Sequence, residues 1–434
     1  MRAGAAQTNI TPLVGTSLAG YFHDRKMTDV RDELYAKAIV LDDGETRVAL
    51  VVCDIIAVPA DTVAEARRLA EVGCGMSADN ILIAATHTHT AASPAGLLGT
   101  PRADEYMEAL PAKIADSIVR ATARLQPAKW GVALGSETRL SFNRRFRMRD
   151  GSVQMNPGFK NPDAIEAMGP IDPDVPVLHV VNSETGANIA LLANFALHYV
   201  GGAPGDVASA DYFGMFGREI SKWLGDDPVI ALANGFCGDI NNVDVTCRPT
   251  RTGPWEHAEH VARMLAMNVL SLVEEMEYSE DGKLRVARET MTIPIRPIDD
   301  NMRAEARETL GDRSPHDPAD GYSRDEVYAR ELLLLDEEPD AVTTETQVIA
   351  LDDVGFVSMP GEMFVEFAGD LAKDAPFSTL FKIELANDYI GYVPTRRAFD
   401  EGSYETWFAR SSKLVPAAGE MLMDGARRLM AALA

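Results

Sequence analysis

Short apolar runs, many of them rich in β-branched residues, alternate along the chain with segments of helical periodicity. The runs that predict strands are residues 38–41, 48–53, 81–85, 177–181, 189–195 and 229–233. Helices are predicted for residues 59–72, 103–124, 213–224 and 255–276, where apolar residues recur at spacings of three and four. This alternation indicates an α/β fold whose strands are buried on both faces.

A polar, acidic segment interrupts the alternation at about residues 299–341. Helical patterns at 302–310 and 324–335 lie within it, and we interpret it as a surface excursion. Strand patterns return at 346–351 and 355–359, and a helix is predicted for 362–373. No Gly/Ser-rich linker divides the chain, so one domain over residues 1–434 is predicted.

Charge and hydropathy exclude several classes of partner. The chain has 41 Lys and Arg against 66 Asp and Glu, a net charge of −25, which disfavours nucleic acid and anionic membranes. The first twelve residues do not have the apolar stretch that is typical of a secretory signal, and no apolar run is long enough to span a membrane. The four cysteines form no C-x-x-C pair. We therefore expect a cytoplasmic protein with a small-molecule substrate.

The strongest chemical signal is His87-Thr88-His89, directly after the apolar run 81–85. Strand periodicity would put both rings on one side, and ligands bind beyond the carboxyl ends of strands in α/β sheets. The pair therefore predicts a metal or catalytic site. The alternative is two hydrogen-bonded structural histidines.

Three further segments carry candidate chemistry, each with a plainer alternative. His198 follows the apolar run 189–195, where a lone histidine is often only a buried structural residue. Glu362 follows Pro360-Gly361 and would open the predicted helix, where a carboxylate can simply complement the helix dipole. The amide-rich turn 234–242 either brings backbone N–H groups to a ligand or only connects two elements.

In their order along the chain, these segments resemble the neutral/alkaline non-lysosomal ceramidase family. The resemblance begins at Asn9-Ile10-Thr11-Pro12 and covers nearly the whole chain. Its other motifs are His87-Thr88-His89, Asn143-Arg144, Asn194-Phe195-Ala196-Leu197-His198, Pro360-Gly361-Glu362, and a pair of tyrosines at Tyr392 and Tyr404.

This resemblance implies a ceramidase-like catalytic domain of mixed β-sheets packed with helices, which binds Zn²⁺ and hydrolyses an amide bond with metal-activated water. The implied zinc ligands are His87, His198, Glu362 and Tyr404. His89 is implied to lie beside the scissile bond, and Arg144 and Tyr392 to contact the reacting groups.

The chain departs from the family pattern at several places. The family's Gly-Asp-Val-Ser-Pro-Asn reads Gly238-Asp239-Ile240-Asn241-Asn242, so Asn241 occupies the position of an active-site serine. An amide cannot act as a hydroxyl nucleophile, and we expect Asn241 to donate a hydrogen bond to the substrate instead. The residues after His89 also differ, and little sequence follows Tyr404 to form the family's C-terminal β-sandwich. A membrane sphingolipid is therefore not the expected substrate.

Two other functions remain open from the sequence. One is an esterase or lactonase that acts on a soluble metabolite such as a carbohydrate derivative. The other is a catalytically inactive zinc-binding protein, although retention of His89, Arg144 and Tyr392 beside the implied ligands argues against it. A barrel amidohydrolase would need a metal-bridging lysine after a strand, and no convincing counterpart is present.

Overall fold

Most of the predicted strands lie in one mixed, eight-stranded sheet in the computed structural model, which describes residues 1–434. We label its strands β1 (Arg2–Asn9), β2 (Tyr35–Asp42), β3 (Arg47–Cys53), β4 (Ile81–Ala85), β5 (Gln126–Ser136), β6 (Asp174–Asn182), β7 (Asn188–Phe195) and β8 (Val229–Asn234). Their order across the sheet is β8-β7-β6-β5-β1-β2-β3-β4. Only the outermost pairs, β3 with β4 and β7 with β8, are parallel.

A second, four-stranded sheet is formed by the later part of the chain. Its strands, in spatial order, are β9 (Leu284–Pro294), β10 (Ala341–Leu351), β11 (Val354–Ser358) and β12 (Thr379–Ile383). Side chains from the two sheets share one apolar core, which includes Leu50, Leu192 and Phe356. Burial between two sheets explains why many of these strands are apolar on both faces.

Nine helices cover the outer faces of the two sheets or lie at their edges. They are α1 (Ala60–Cys74), α2 (Asp104–Ala123), α3 (Asp211–Leu224), α4 (Glu256–Glu274), α5 (Asp300–Leu310), α6 (Arg324–Leu335), α7 (Glu366–Asp374), α8 (Arg396–Glu401) and α9 (Ala418–Leu433). Helices α1 to α4 pack on the large sheet, and α7 and α9 pack on the small sheet. The predicted α/β class is confirmed. The two sheets pack against each other, and helices cover the outer face of each sheet.

Short strands outside the two sheets complete the fold: Asp29–Val30, Phe142–Asn143, Arg145–Met148, Val153–Met155, Ala164–Ala167, Val207–Ala208, Ile240–Asn241, Glu362–Met363 and Tyr392–Val393. One of them corrects a prediction, because the helix expected at 362–373 begins only at Glu366. Glu362 instead lies in a strand and pairs with Tyr392. Its carboxylate therefore does not cap a helix.

The polar excursion at residues 299–341 contains the two helices that were predicted there. Asp299 caps α5 through the backbone N–H of Met302, and Ser323 and Glu326 form a reciprocal capping box at the start of α6. The excursion also has an inner face, because Val327 and Glu331 of α6 are completely buried. None of the helices is both long and apolar enough to cross a lipid bilayer.

Candidate metal centre

The curvature of the large sheet brings the candidate residues together. Strands β4 and β8 are its two edges, yet they contact each other, and the amide of Asn234 at the end of β8 donates to the carbonyl of Thr86 over 3.2 Å. His87 and His89 follow β4, while His198 follows β7, the neighbour of β8. Their three rings consequently meet, with centroids 4.4–4.9 Å apart.

His87 lies in a turn rather than in the strand, with a positive φ of 68°. Strand periodicity is therefore not what brings the two rings of the His-x-His motif together. The Nδ1–H group of His87 donates to the carbonyl of Ile56 over 2.8 Å, so in the neutral ring Nε2 is the atom with a free lone pair. This Nε2 is buried, has no hydrogen-bond partner and lies 3.5 Å from Oε2 of Glu362.

Glu362 presents a carboxylate oxygen that is equally without a partner. Its Oε1 accepts a hydrogen bond from the hydroxyl of Tyr389 over 2.9 Å, but its buried Oε2 accepts none. Burial alone would raise the pKa of Glu362, yet the positive charge of a protonated His87, together with Tyr392 and Arg144, outweighs it and holds the pKa below its usual value. A metal cation in place of that proton would act in the same direction. The carboxylate is therefore ionised at neutral pH.

His89 and His198 are linked by a chain of hydrogen bonds with one consistent proton assignment. Arg144 donates to Nδ1 of His198 over 3.2 Å, and the two Nε2 atoms of His198 and His89 lie 3.0 Å apart. Nδ1–H of His89 donates to the carbonyl of Gly20 over 3.0 Å. Burial lowers the pKa of both histidines well below the usual value, so both rings are neutral at pH 7.

The donor atoms of this cluster fit a divalent metal ion. Ring nitrogens of His87, His89 and His198 lie within 4.8 Å of one another, and Oε2 of Glu362 is 3.7 Å from Nδ1 of His198. Two buried acceptors without partners, His87 Nε2 and Glu362 Oε2, face each other, and a cation between them would satisfy both. Neutral imidazoles with a carboxylate are a donor set that suits zinc.

Tyr392 and Tyr404 both lie beside this cluster, but only Tyr392 is hydrogen-bonded to Arg144. The hydroxyl of Tyr392 accepts a hydrogen bond from Arg144 over 3.2 Å and also helps to lower the pKa of Glu362. The ring of Tyr404 packs edge-on against Tyr392, with centroids 5.6 Å apart. Burial raises the pKa of Tyr404 to about 12. Tyr392 is thus the tyrosine of this pair that lies nearer to the carboxylate and the guanidinium.

Arg144 lies behind the cluster rather than in the open cavity. It is 3% exposed, and its Nε donates to Glu405 over 2.8 Å while Nη2 donates to the carbonyl of Gly238 over 2.7 Å. Glu405 also pairs with Arg145 over 3.1 Å. The sequence interpretation missed Glu405 and Tyr389, although each lies within three residues of a predicted tyrosine.

Asn241 is placed in a short strand that pairs with Phe142, and its amide is already engaged. Its Nδ2 donates to Oδ1 of Asn156 over 2.9 Å, and its own Oδ1 accepts from the backbone N–H of Val243 over 3.0 Å. Neither Asn241 nor Arg144 lines the cavity described next. The hydrogen bond from Asn241 to a substrate stays a prediction.

A cavity of about 70 Å³ opens onto the cluster. His87, His89, Glu362 and four tyrosines form its polar side, and its other walls are mainly small apolar residues from three loops. The lining residues are Ala19, Gly20, Tyr21, Ile56, Ala57, His87, His89, Ser93, Pro94, Ala95, Gly96, Leu97, Leu98, Glu362, Tyr389, Tyr392, Tyr404 and Ser411. The candidate metal centre is therefore open to a small ligand.

The sequence model described as neutral/alkaline non-lysosomal ceramidase, N-terminal, matches residues 1–233, more than half of the chain. The chain belongs to this family. Membership makes the protein a hydrolase of amide bonds. The matched segment ends just before Asn234 and contains four of the predicted site residues, His87, His89, Arg144 and His198. The predicted resemblance is confirmed.

Solved structures show that the ceramidase fold continues beyond the matched segment. The neutral ceramidase from Pseudomonas aeruginosa aligns with a TM-score of 0.73 at 18% identity, over 100% of this chain and 74% of the other. A structure titled "Ceramidase complexed with C2" aligns with a TM-score of 0.73 at 17% identity, over 100% and 75%. No curated protein matches the sequence of the chain.

Proposed function

We propose that this ceramidase family member is a zinc-dependent hydrolase that cleaves an amide bond in a small substrate. The observation that carries the proposal is the pair of buried acceptors, His87 Nε2 and Glu362 Oε2, which face each other over 3.5 Å without a donor between them. Leaving two buried acceptors unsatisfied costs free energy, and a metal ion held by both would recover it.

The proposed ligands are His87, His198, Glu362 and one phenol. The family resemblance assigns the phenol to Tyr404, whereas the strand pairing with Glu362 and the hydrogen bond from Arg144 favour Tyr392. Two neighbours support the set from behind: the carbonyl of Ile56 orients His87, and the hydroxyl of Tyr389 orients Glu362. Such supporting hydrogen bonds fix ring orientation and tautomer at metal sites.

When bound, zinc would supply Lewis acidity, which polarises a carbonyl and makes a bound water nucleophilic near neutral pH. His89 would handle the proton of the reaction. Its Nδ1–H is committed to the carbonyl of Gly20, so Nε2 is the atom that accepts a proton and later returns it to the leaving nitrogen. Burial lowers the pKa of His89, which keeps Nε2 unprotonated until the reaction begins.

The remaining polar groups would bind and orient the substrate. Tyr392 and Tyr404 line the cavity, and whichever hydroxyl is not a ligand can donate to the carbonyl oxygen as negative charge develops on it. Arg144, through its contact with Tyr392, holds that hydroxyl in place. The cavity volume of about 70 Å³ favours a small soluble amide over a long-chain lipid, because sites for drug-sized ligands measure roughly 300–1,000 Å³.

Metal analysis combined with a substrate panel tests this proposal. Purified protein should contain zinc, should hydrolyse at least one N-acyl amide from a panel of short acyl amides and matched esters, and should lose activity to a chelator and regain it with zinc. The variant His87→Gln should lose both zinc and activity. His316→Gln, at an exposed histidine that pairs only with Glu337, should keep both.

Three results would contradict the proposal in different ways. Hydrolysis of the esters alone would identify the esterase or lactonase instead. Bound zinc without hydrolysis of any amide or ester would indicate the inactive zinc-binding protein. Chelator-resistant hydrolysis would show that the histidine cluster acts without a metal ion.

A further inference from the structure

The loop after the His-x-His motif forms one wall of the cavity. Six consecutive residues, 93–98, line it. The backbone of this loop is sharply turned, since φ is 66° at Gly96, 52° at Leu98 and 88° at Gly99. A positive φ at leucine is unfavourable and persists only where the surroundings impose it. Some contact outside the loop must therefore hold Leu98.

Glu331 of α6 provides that contact. Its Oε1 accepts a hydrogen bond from the backbone N–H of Leu98 over 2.9 Å, although the two residues are 233 positions apart. Glu331 is completely buried, which is unusual for a carboxylate in a polar surface segment. The acidic excursion thus sends one side chain inward to the loop that lines the cavity.

Arg410 completes the connection between α6 and the loop. It forms a two-pronged ion pair with Glu331, in which Nε donates to Oε2 and Nη2 donates to Oε1, each over 2.8 Å. The same Nη2 donates to the carbonyl of Gly96 over 2.8 Å. Glu331 and Arg410 together therefore hold both the N–H of Leu98 and the C=O of Gly96, and Ser411, which follows Arg410, lines the cavity.

The charges around Glu331 explain why one substitution should release the loop. Arg330 also approaches Oε1 of Glu331, at 3.4 Å, so the buried carboxylate is balanced by two guanidinium groups. A neutral amide at this position would present an N–H group to donors, or would leave Arg410 uncompensated in a buried site. The hydrogen bonds to Gly96 and Leu98 would weaken together.

Other contacts of the excursion point to the same region. A side chain at Gly99 would meet the methyl group of Ala319 at 3.5 Å, so the excursion also covers the far end of the loop. Tyr328, on the same helix as Glu331, packs against Phe22 and Trp407. Phe22 and Trp407 in turn contact Tyr404 of the cavity. The excursion is thus part of the outer wall of the site.

We propose that Glu331 is a positioning residue that, through Arg410 and the backbone of residues 96–98, sets the width of the cavity and hence the size of the acyl group that is accepted. The specificity part of this inference rests on the proposed amide hydrolase function. The structural part, that Glu331 holds the loop, stands independently of the reaction. Glu331 touches neither the histidines nor the proposed ligands, so it acts only through the loop.

Hydrogen–deuterium exchange of the substrate-free protein tests the structural part. Relative to wild type, Glu331→Gln should increase exchange in residues 93–100 by about tenfold or more, since its hydrogen bonds protect the loop from local opening. Zinc content should remain that of the wild type. Glu337→Gln, the same substitution at an exposed residue just beyond α6, should leave exchange in the loop unchanged. Equal exchange in both variants would overturn the inference.

Kinetics with a series of N-acyl amides of increasing acyl length tests the specificity part. Glu331→Gln should change KM in a length-dependent way, by about tenfold for the substrates that fill the cavity, with kcat for the shortest amide nearly unchanged. A loss of kcat that is equal for all lengths would overturn the specificity role. If Glu331→Gln does not fold, Arg410→Lys, which keeps the charge but not the two-pronged contact, takes its place in both measurements.

Failure of this inference is distinguishable from failure of the proposed function. A wild-type protein that hydrolyses no amide would refute the function, while the exchange experiment would still decide whether Glu331 holds the loop. A wild-type protein that hydrolyses amides, with variants of unaltered length preference, would refute the specificity role alone.

Discussion

Replacing Gly20 by alanine would displace His89 without touching His87 or Glu362. Gly20 has a φ of 98°, and a Cβ atom built on it would lie 2.3 Å from Nδ1 and 2.6 Å from Cγ of His89. The carbonyl of Gly20 is also the acceptor that orients this ring. The substitution therefore acts on the residue proposed to move the proton, from a position that is not itself a candidate ligand.

The expected loss of rate in Gly20→Ala follows from the distances between the added Cβ atom and the ring of His89. Ordinary contacts of a Cβ atom begin near 3.4 Å, so the imidazole must retreat by about 1 Å from its present position. Misplacement of a catalytic group by this amount costs about 100-fold in rate. The lost hydrogen bond to Gly20 adds about 1 kcal/mol of instability, and an alanine at positive φ adds about 1–3 kcal/mol.

Gly15 supplies a matched control in the same N-terminal region. Its φ is 93°, close to that of Gly20, but a Cβ atom there would meet nothing within 4 Å. Gly15→Ala therefore introduces the same kind of backbone strain without moving His89. Comparison of the two variants separates the strain from the displacement of the ring.

The assay is kcat/KM for an amide that the wild type cleaves, together with zinc content and the free energy of unfolding in urea. Both variants should be destabilised and both should retain zinc, but only Gly20→Ala should lose about 100-fold in kcat/KM. Equal kcat/KM for the two variants would refute the role of His89, and loss of zinc in Gly20→Ala alone would make His89 a ligand instead.

Three further predictions follow from the site and from one buried histidine outside it. Glu362→Gln should abolish zinc binding, yet it should raise the unfolding free energy of chelator-treated protein by about 1–3 kcal/mol, because an amide N–H can donate to His87 Nε2. If the chelator-treated variant is less stable than the chelator-treated wild type, His87 Nε2 and Glu362 Oε2 are not two unpaired acceptors. Of Tyr392→Phe and Tyr404→Phe, the variant that removes the ligand should weaken zinc binding by more than the roughly 10–100-fold typical of an outer-shell partner, and equal zinc titrations would mean that neither phenol is a ligand. Burial lowers the pKa of His179 to about 4 in the folded chain, whereas its pKa in the unfolded chain is about 6.5, so the unfolded chain takes up this proton first as the pH falls. The wild type should therefore lose on the order of 3 kcal/mol of unfolding free energy through this group between about pH 6.5 and pH 4. Urea unfolding across this window should show a smaller loss for His179→Asn, and parallel pH profiles of the two proteins would contradict the assignment.

Local sequence patterns predicted much of the secondary structure because the physical signals are local. The helix periodicity of α6 and the apolar run of β4 correspond to elements with the bounds 324–335 and 81–85. Strand β1 was missed because Arg2-Ala-Gly-Ala-Ala-Gln-Thr-Asn9 is rich in small residues and poor in β-branched ones. Strand β9 was missed because its outer positions are polar and half-exposed. Pairing with neighbouring strands, rather than intrinsic preference, makes these two segments strands.

The candidate site also depends partly on local sequence motifs and partly on how distant segments meet in the folded chain. The motifs around His87, His198 and Glu362 identified residues that the folded chain brings together at strand ends, although strand periodicity does not align the two rings of the His-x-His motif and Glu362 does not begin a helix. The approach of β4 to β8 joins segments that are more than 100 residues apart. Curvature of a sheet depends on all of its strands and cannot be read from any one of them.

By itself, the sequence determined the family, the α/β class and the identity of the polar residues that the candidate centre uses, because these depend on residue type, order and short-range periodicity. Only the tertiary structure decided which atoms of those residues are left without partners, that Tyr392 lies next to Glu362, and that Glu331 of an acidic surface segment holds a cavity loop. A hydrogen bond requires its donor and acceptor to lie within a few tenths of an ångström of the ideal distance. Whether two distant residues meet that requirement depends on the turns, strand register and sheet curvature of the whole chain.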